Sequence, residues 1–179
     1  MERSFIPVSI SLLTISDTRS LDNDKSGNLL EEKVIESGHF LFDRKIVRDE
    51  ILEIQRVSKN WIKDPKVEII ISTGGTGLTG RDISPEAFRQ IFDKEIEGFG
   101  ELFRYLSFKK IGTSTIQSRA VAGVSNGTYI FVLPGSPSAC RDAWDNILSH
   151  QLDYRHKPCN FVEIMPRLLE NNRGRLGKK

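Results

Sequence analysis

The chain is 179 residues long, with a formal net charge of +2, an apolar fraction of 38% and a charged fraction of 28%. Those values describe one soluble globular domain with room for a single substantial core, and they give no general case for nucleic acid as a partner. No apolar run approaches the roughly 18 residues of a membrane span, the N-terminus carries no signal peptide, and Cys140 and Cys159 are too few for a disulfide framework, so the sequence predicts a cytoplasmic protein with reduced thiols and no membrane partner.

Residues 8–15 read as a buried strand ending in Ser16-Asp17-Thr18, where Asp17 can close an Asx-turn. Ser26 is predicted to cap a helix whose inner face holds Leu29, Leu30 and Val34, with Gly38 closing it. Phe40–Val47 reads as a second strand. Asp49 precedes a helix with Ile51, Ile54, Val57 and Trp61 at helical spacing, and it is both a good N-cap and a candidate functional carboxylate. A third strand over 67–72 empties into Thr73-Gly74-Gly75-Thr76-Gly77. Ser84, Pro85 and Glu86 then read as N-cap, first helical position and first-turn acid of another helix. Gly98-Phe99-Gly100 predicts an interruption before a helix over 101–108. Val121–Ser125 and Thr128–Leu133 flank Asn126-Gly127, a strong hairpin signal. The second arm exits through Pro134-Gly135-Ser136-Pro137, with Ser136 as cap, into a helix that turns Ala139, Ala143, Trp144 and Ile147 inward. Cys140 on that helix reads as a small buried apolar residue. Arg167, Arg173, Arg175, Lys178 and Lys179, mixed with asparagine and glycine, predict a domain over 6–166 and a solvated, disordered basic tail over 167–179.

Alternating strands and helices imply a three-layer α/β/α domain around a mostly parallel sheet, with the hairpin adding an antiparallel element. Ligands collect at the carboxyl ends of such strands, which makes four loops candidates for one site: Ser16-Asp17-Thr18, Asp49-Glu50, 73–82 and 134–138. Three glycines in four residues remove the Cβ atoms that keep a ligand from the backbone, so the 74–77 loop reads as a phosphate cradle. Gly75-Thr-Gly77-Leu-Thr-Gly80 spells G-x-G-x-x-G, yet a dinucleotide-binding helix would bury Pro85 in its interior at a cost of about 3 kcal/mol. Arg81-Asp82 stands where a P-loop needs Lys-Ser/Thr. Asp82 lies two residues outside the expected helix and has no structural duty apparent from the sequence. A carboxylate beside a phosphate cradle suits Mg²⁺, which takes one or two carboxylates plus substrate phosphates. Arg119 is a candidate for neutralising an anion. His156 and Cys159 are spaced like a ligand pair, but three His and two Cys are too few for a closed zinc site.

The combination of Thr73-Gly74-Gly75-Thr76-Gly77, Arg81-Asp82-Ile83-Ser84-Pro85-Glu86 and Pro134-Gly135-Ser136-Pro137 resembles the molybdopterin-binding proteins of molybdenum cofactor biosynthesis, the MoaB/Mog family. Gly98-Phe99-Gly100-Glu101, Leu106-Ser107-Phe108, Gly112-Thr113-Ser114, Ser118-Arg119-Ala120 and Lys157-Pro158-Cys159-Asn160-Phe161 are similar to its B branch. The likeness runs over about 6–161. It implies a three-layer domain that assembles as homotrimers or homohexamers and binds molybdopterin, a pterin with a dithiolene and a terminal phosphate. Catalytic relatives adenylylate that phosphate with Mg-ATP before molybdenum insertion, whereas some B members bind GTP without that transfer. By motif position the resemblance makes Asp49 and Asp82 the functional, Mg²⁺-holding aspartates. With the strand-end argument it gives a substrate set of Ser16, Asp17, Thr73, Gly74, Gly75, Thr76, Gly77, Ser118, Arg119, Pro134, Gly135, Ser136 and Ser138. Partners implied are nucleotide, molybdopterin, further copies of the chain and other proteins of the pathway. Phe99, Phe103, Phe108, Tyr154 and Phe161 are candidates for a subunit interface or for the core.

Overall fold

The structure is a computed structural model and describes residues 3–170. Its strands are β1 (Ser9–Ile15), β2 (Phe40–Val47), β3 (Ile69–Thr73), β4 (Lys94–Glu95), β5 (Val121–Ser125) and β6 (Thr128–Leu133). They form one sheet in the order β2-β1-β3-β6-β5-β4. The first four in that order are mutually parallel, and β5 and β4 are antiparallel to their neighbours. Asn126 and Gly127 both take positive φ between β5 and β6, the backbone a two-residue hairpin turn requires.

The pleat sorts side chains into two cores. Ile10, Leu12, Ile69, Ile71, Tyr129 and Phe131 face one side, against α1 (Lys25–Glu36), α4 (Glu97–Ile111) and α5 (Pro137–Ala143). Leu13, Ile15, Ile70, Ile130 and Val132 face the other, against α2 (Ile51–Lys63) and α3 (Ser84–Arg89). A π-helical turn, Trp144–Leu148, carries α5 into α6 (Ser149–Gln151), and α7 (Phe161–Ile164) ends the layer. The three-layer α/β architecture is therefore the one its sequence predicts.

Several local expectations are corrected. Asp24, not Ser26, caps α1, accepting from the Gly27 N–H at 2.9 Å. Gly98 and Gly100 lie inside α4 rather than ahead of it. The reason at Gly100 is close approach: a Cβ there would stand 2.6 Å from the Ala120 carbonyl oxygen. The two-residue edge strand β4 has no signal in the sequence. Phe99 and Phe103 are core residues, Tyr154 and Phe161 pack on that core, and Phe108 is exposed. Leu168, assigned to the tail by composition, packs on the main core. Arg167, also assigned to the tail, ends a 3-10 turn and pairs with Glu170, and residues 171–179 lie outside the described residues. Among the described residues no helix is long and apolar enough to cross a membrane.

Candidate functional site

The chain turns from β1 outward to β2, then crosses back to β3 on the other side of β1, so the β1/β3 boundary is a topological switch point. A crevice is expected beyond its strand ends. A cavity of about 330 Å³ lies there, lined by Thr14, Ser16, Arg19, Asp24, Lys25, Ser26, Asp49, Thr73, Gly74, Gly75, Arg81, Asp82, Gly135 and Pro137, among others. Seven of the expected site residues, Ser16, Asp49, Thr73, Gly74, Gly75, Asp82 and Gly135, line it, because each lies at or beyond the carboxyl end of a parallel strand.

The glycine loop is shaped by what surrounds it. Gly74 and Gly75 have φ of +107° and +62°. A Cβ on Gly74 would fall 2.1 Å from the Ile15 carbonyl oxygen, and one on Gly75 would fall 2.4 Å from Ser84 Oγ and 2.9 Å from Asp49 Oδ1. A Cβ on Gly77 would meet Asp82 Oδ2 at 2.7 Å. The two aspartates thus flank the loop, each resting against a different glycine. Thr73 Oγ1 donates to the Pro134 carbonyl at 2.9 Å, which ties the β3 exit to the β6 exit.

Asp49 and Asp82 have unlike surroundings. Burial, then the nearby Asp17 and Asp82 charges, hold the Asp49 carboxyl above the ordinary range, against the opposing pull of Arg81. Among the described residues it makes no ion pair, and it caps no helix, since α2 starts after Glu50 without a side-chain cap. Burial also pushes Asp82 upward, but hydrogen bonds from Thr79 and Gly77 and the Arg119 charge outweigh it, so its carboxyl lies below the usual value. Its Oδ2 accepts from the Thr79 N–H at 2.8 Å and from Thr79 Oγ1 at 2.6 Å. The carboxylate that looked free of structural duty therefore folds the loop tip. Ser84 is likewise no cap: its Oγ donates to the Gly74 carbonyl at 2.7 Å.

Asp17 stands beside the mouth in a two-pronged ion pair with Arg81, at 2.7–2.9 Å, and accepts from the Asp49 N–H at 3.3 Å instead of closing an Asx-turn. Arg119 works from behind the loop. Its guanidinium donates to the carbonyls of Gly77 at 2.8 Å and Asp82 at 2.7 Å, and it pairs with Glu86. Thr76 is buried and Gly77 lies outside the cavity wall, as do Pro134, Ser136 and Ser138. Ser136 caps α5 through the Ala139 N–H, and Ser138 is exposed beside it. Ser118 is not brought to this cavity; it lines a separate surface depression with Arg89, Glu95 and Arg104.

Sequence reasoning missed Thr14, Arg19, Asp24, Lys25 and Ser26, and it placed Arg81 in a candidate loop without assigning it to the site. Asp24 is 2% exposed and accepts from Thr14 Oγ1 at 2.6 Å and from Arg44 at 2.9 Å. Ser26 Oγ donates to the Gly135 carbonyl at 2.8 Å. The available signal was the start of the helix after β1, because helix N-termini share the strand-end crevice. Cys140 is buried, as expected, and burial pushes its thiol up to about 11.

Comparisons with known proteins bear on this arrangement. The family model described as "Probable molybdopterin binding domain" matches residues 11–154. Molybdenum cofactor biosynthesis protein B of Escherichia coli (strain K12) is 52% identical over 157 residues, covering 88% of this chain and 92% of that protein. A crystal structure of a molybdenum cofactor biosynthesis protein B superposes with a TM-score of 0.84 at 36% identity, covering 94% of this chain and 99% of the other. The tungsten cofactor synthesizing protein MoaB from Pyrococcus furiosus superposes at 0.73 with 34% identity, over 80% and 92% of the two chains. The chain therefore belongs to the molybdopterin-binding family of molybdenum cofactor biosynthesis, among its B proteins.

Proposed function

We propose that this protein acts in molybdenum cofactor biosynthesis by binding molybdopterin in the β1/β3 cavity and adenylylating its terminal phosphate with ATP and Mg²⁺. The observation that carries the reading is the pair of aspartates on either side of the glycine loop, with Asp49 making no ion pair among the described residues. A carboxylate raised by burial and by neighbouring carboxylates gains from a divalent cation, so the donor set fits Mg²⁺ held by one or two carboxylates and substrate phosphates. When bound, that ion would neutralise the nucleotide phosphates.

The chain's own residues do the rest. Gly74 and Gly75, which line the cavity and carry no Cβ atoms, let the α-phosphate approach, and their backbone stabilises charge as it develops. An oxygen of the molybdopterin phosphate bonds to the α-phosphorus as the bond from that phosphorus to the bridging oxygen of the β-phosphate breaks, and pyrophosphate leaves with the bridging oxygen. Arg119 keeps the loop in the shape this requires. The proposal includes a reducing cytoplasmic setting, supported by two free thiols, and assembly into homotrimers or homohexamers.

One observation favours a second reading. Asp82 already accepts two hydrogen bonds from Thr79, which suits a residue that shapes a binding loop. On that reading the protein holds molybdopterin and GTP without turnover, or hands the pterin to another protein of the pathway. Pyrophosphate release, measured with purified molybdopterin and either ATP or GTP, separates the two. The transferase reading expects release with ATP that depends on Mg²⁺; saturable binding without release from either nucleotide replaces it with the second.

A further inference from the structure

Beside the site, at the ends of β2 and β1, lies a larger groove of about 690 Å³. Its charged lining comprises Arg19, Arg44, Lys45, Arg48 and Arg56 against Asp17 and Glu53. Two of the five cations are already neutralised: Arg44 by Asp24 and Glu31, and Lys45 by Asp43. Asp17 is taken by Arg81. Arg19, Arg48 and Arg56 are exposed and make no ion pair among the described residues, leaving three free guanidinium groups to one carboxylate, Glu53. The groove and the cavity share Ser16 and Arg19, so they are continuous.

We propose that this groove seats the β- and γ-phosphates of the nucleotide, and then the pyrophosphate they become. The inference rests on the adenylyl-transfer reading, and the direction of the chemistry supports it. In phosphoryl transfer the attacking and leaving oxygens lie roughly in line, on opposite sides of the phosphorus. With the α-phosphate on the glycine loop after β3, the leaving group points either toward the β6 exit or toward β1 and β2. The cations decide. Beside the β6 exit stands Lys25, on the helix start that Ser26 ties to Gly135; beyond β1 stand three unpaired arginines. Neighbouring strands are about 4.8 Å apart, so the β2 exit is roughly 10 Å from the loop, within reach of a triphosphate. Guanidinium forks match phosphate oxygens two at a time, which is why arginine suits this task better than lysine.

The test is calorimetric titration of the full chain with inorganic pyrophosphate, ATP and AMP, for the wild type and for the Arg48→Gln/Arg56→Gln variant. Neither side chain makes a hydrogen bond among the described residues, and single Arg56→Gln serves if the double variant does not fold. The expected result is pyrophosphate and ATP binding weakened about tenfold or more, AMP binding within about twofold of wild type, and a smaller salt dependence in the variant. Wild type that does not bind pyrophosphate, variants that bind it as wild type does, or an equal loss for AMP would overturn the assignment. A protein that binds pyrophosphate in this groove yet releases none from ATP would keep the groove and lose the transferase.

Discussion

Asp82 carries two demands at once. Its carboxylate holds the turn formed with Thr79, and the proposal asks the same group to face a metal-bound nucleotide. Two substitutions separate these duties. Asp82→Asn keeps the shape and can still accept from Thr79, so stability should change little, within about 0.5 kcal/mol, while adenylyl transfer is lost with the charge. Asp82→Ala also removes the acceptor and should cost about 1 kcal/mol, read from urea unfolding. Full turnover in Asp82→Asn would remove Asp82 from the chemistry. The glycines and both aspartates were legible in the sequence because loop, strand end and helix start are adjacent in the chain. Asp82's turn was not, because it depends on how four exposed residues fold back. Arg119 was legible only as a charge. Its partners are carbonyls some 40 residues away, which no spacing rule reaches.

The N-terminus of α1 shows what decides between rival caps. Asp24 and Ser26 both suit a cap position, and local propensity favours neither. Arg44, on the neighbouring strand β2, settles it by pairing with Asp24 beneath the cavity, with side-chain exposures of 11% and 2%. Burial alone would raise the Asp24 carboxyl, but Thr14, the Gly27 N–H and Arg44 together hold it below the ordinary carboxylate value. A depressed folded value means stability that is present above about pH 4, the unfolded value, and lost as pH falls through the folded one. Asp24→Asn should therefore lower stability at pH 7 by about 3 kcal/mol and flatten the acid side of the profile. Urea midpoints at pH 7, 5 and 3.5 check this; an unchanged acid slope would deny Asp24 the role. Apart from β4, the strands were legible from their sequence patterns, and the hairpin from Asn126-Gly127. The start of α4 was not: Gly98 and Gly100 read locally as breakers, whereas Gly100 is there for the approach of Ala120.

Across the whole molecule, apolar side chains left uncovered gather on α4 and the turn after it: Leu102, Tyr105, Phe108, Ile111 and Ile116 are 43–81% exposed. A surface of this kind on a single chain suits association. Light scattering at micromolar concentration should give the mass of a trimer or hexamer, and a stable monomer would end that expectation. The Arg119 clamp has a different consequence, for survival rather than chemistry. Leu78, Thr79, Gly80 and Arg81 project into solvent at the tip of an irregular loop, the kind of place where proteases cut. A protease needs several residues drawn out into an extended strand, and here both ends of the turn are fastened to one guanidinium. Arg81 should thus be a slow trypsin site despite its exposure. Arg119→Ala should open it, and the fragments ending at Arg81 should then appear early in a digest followed by mass spectrometry. The same fastening that the proposed function uses to ready the loop for a phosphate would keep the empty protein from being clipped at the candidate site.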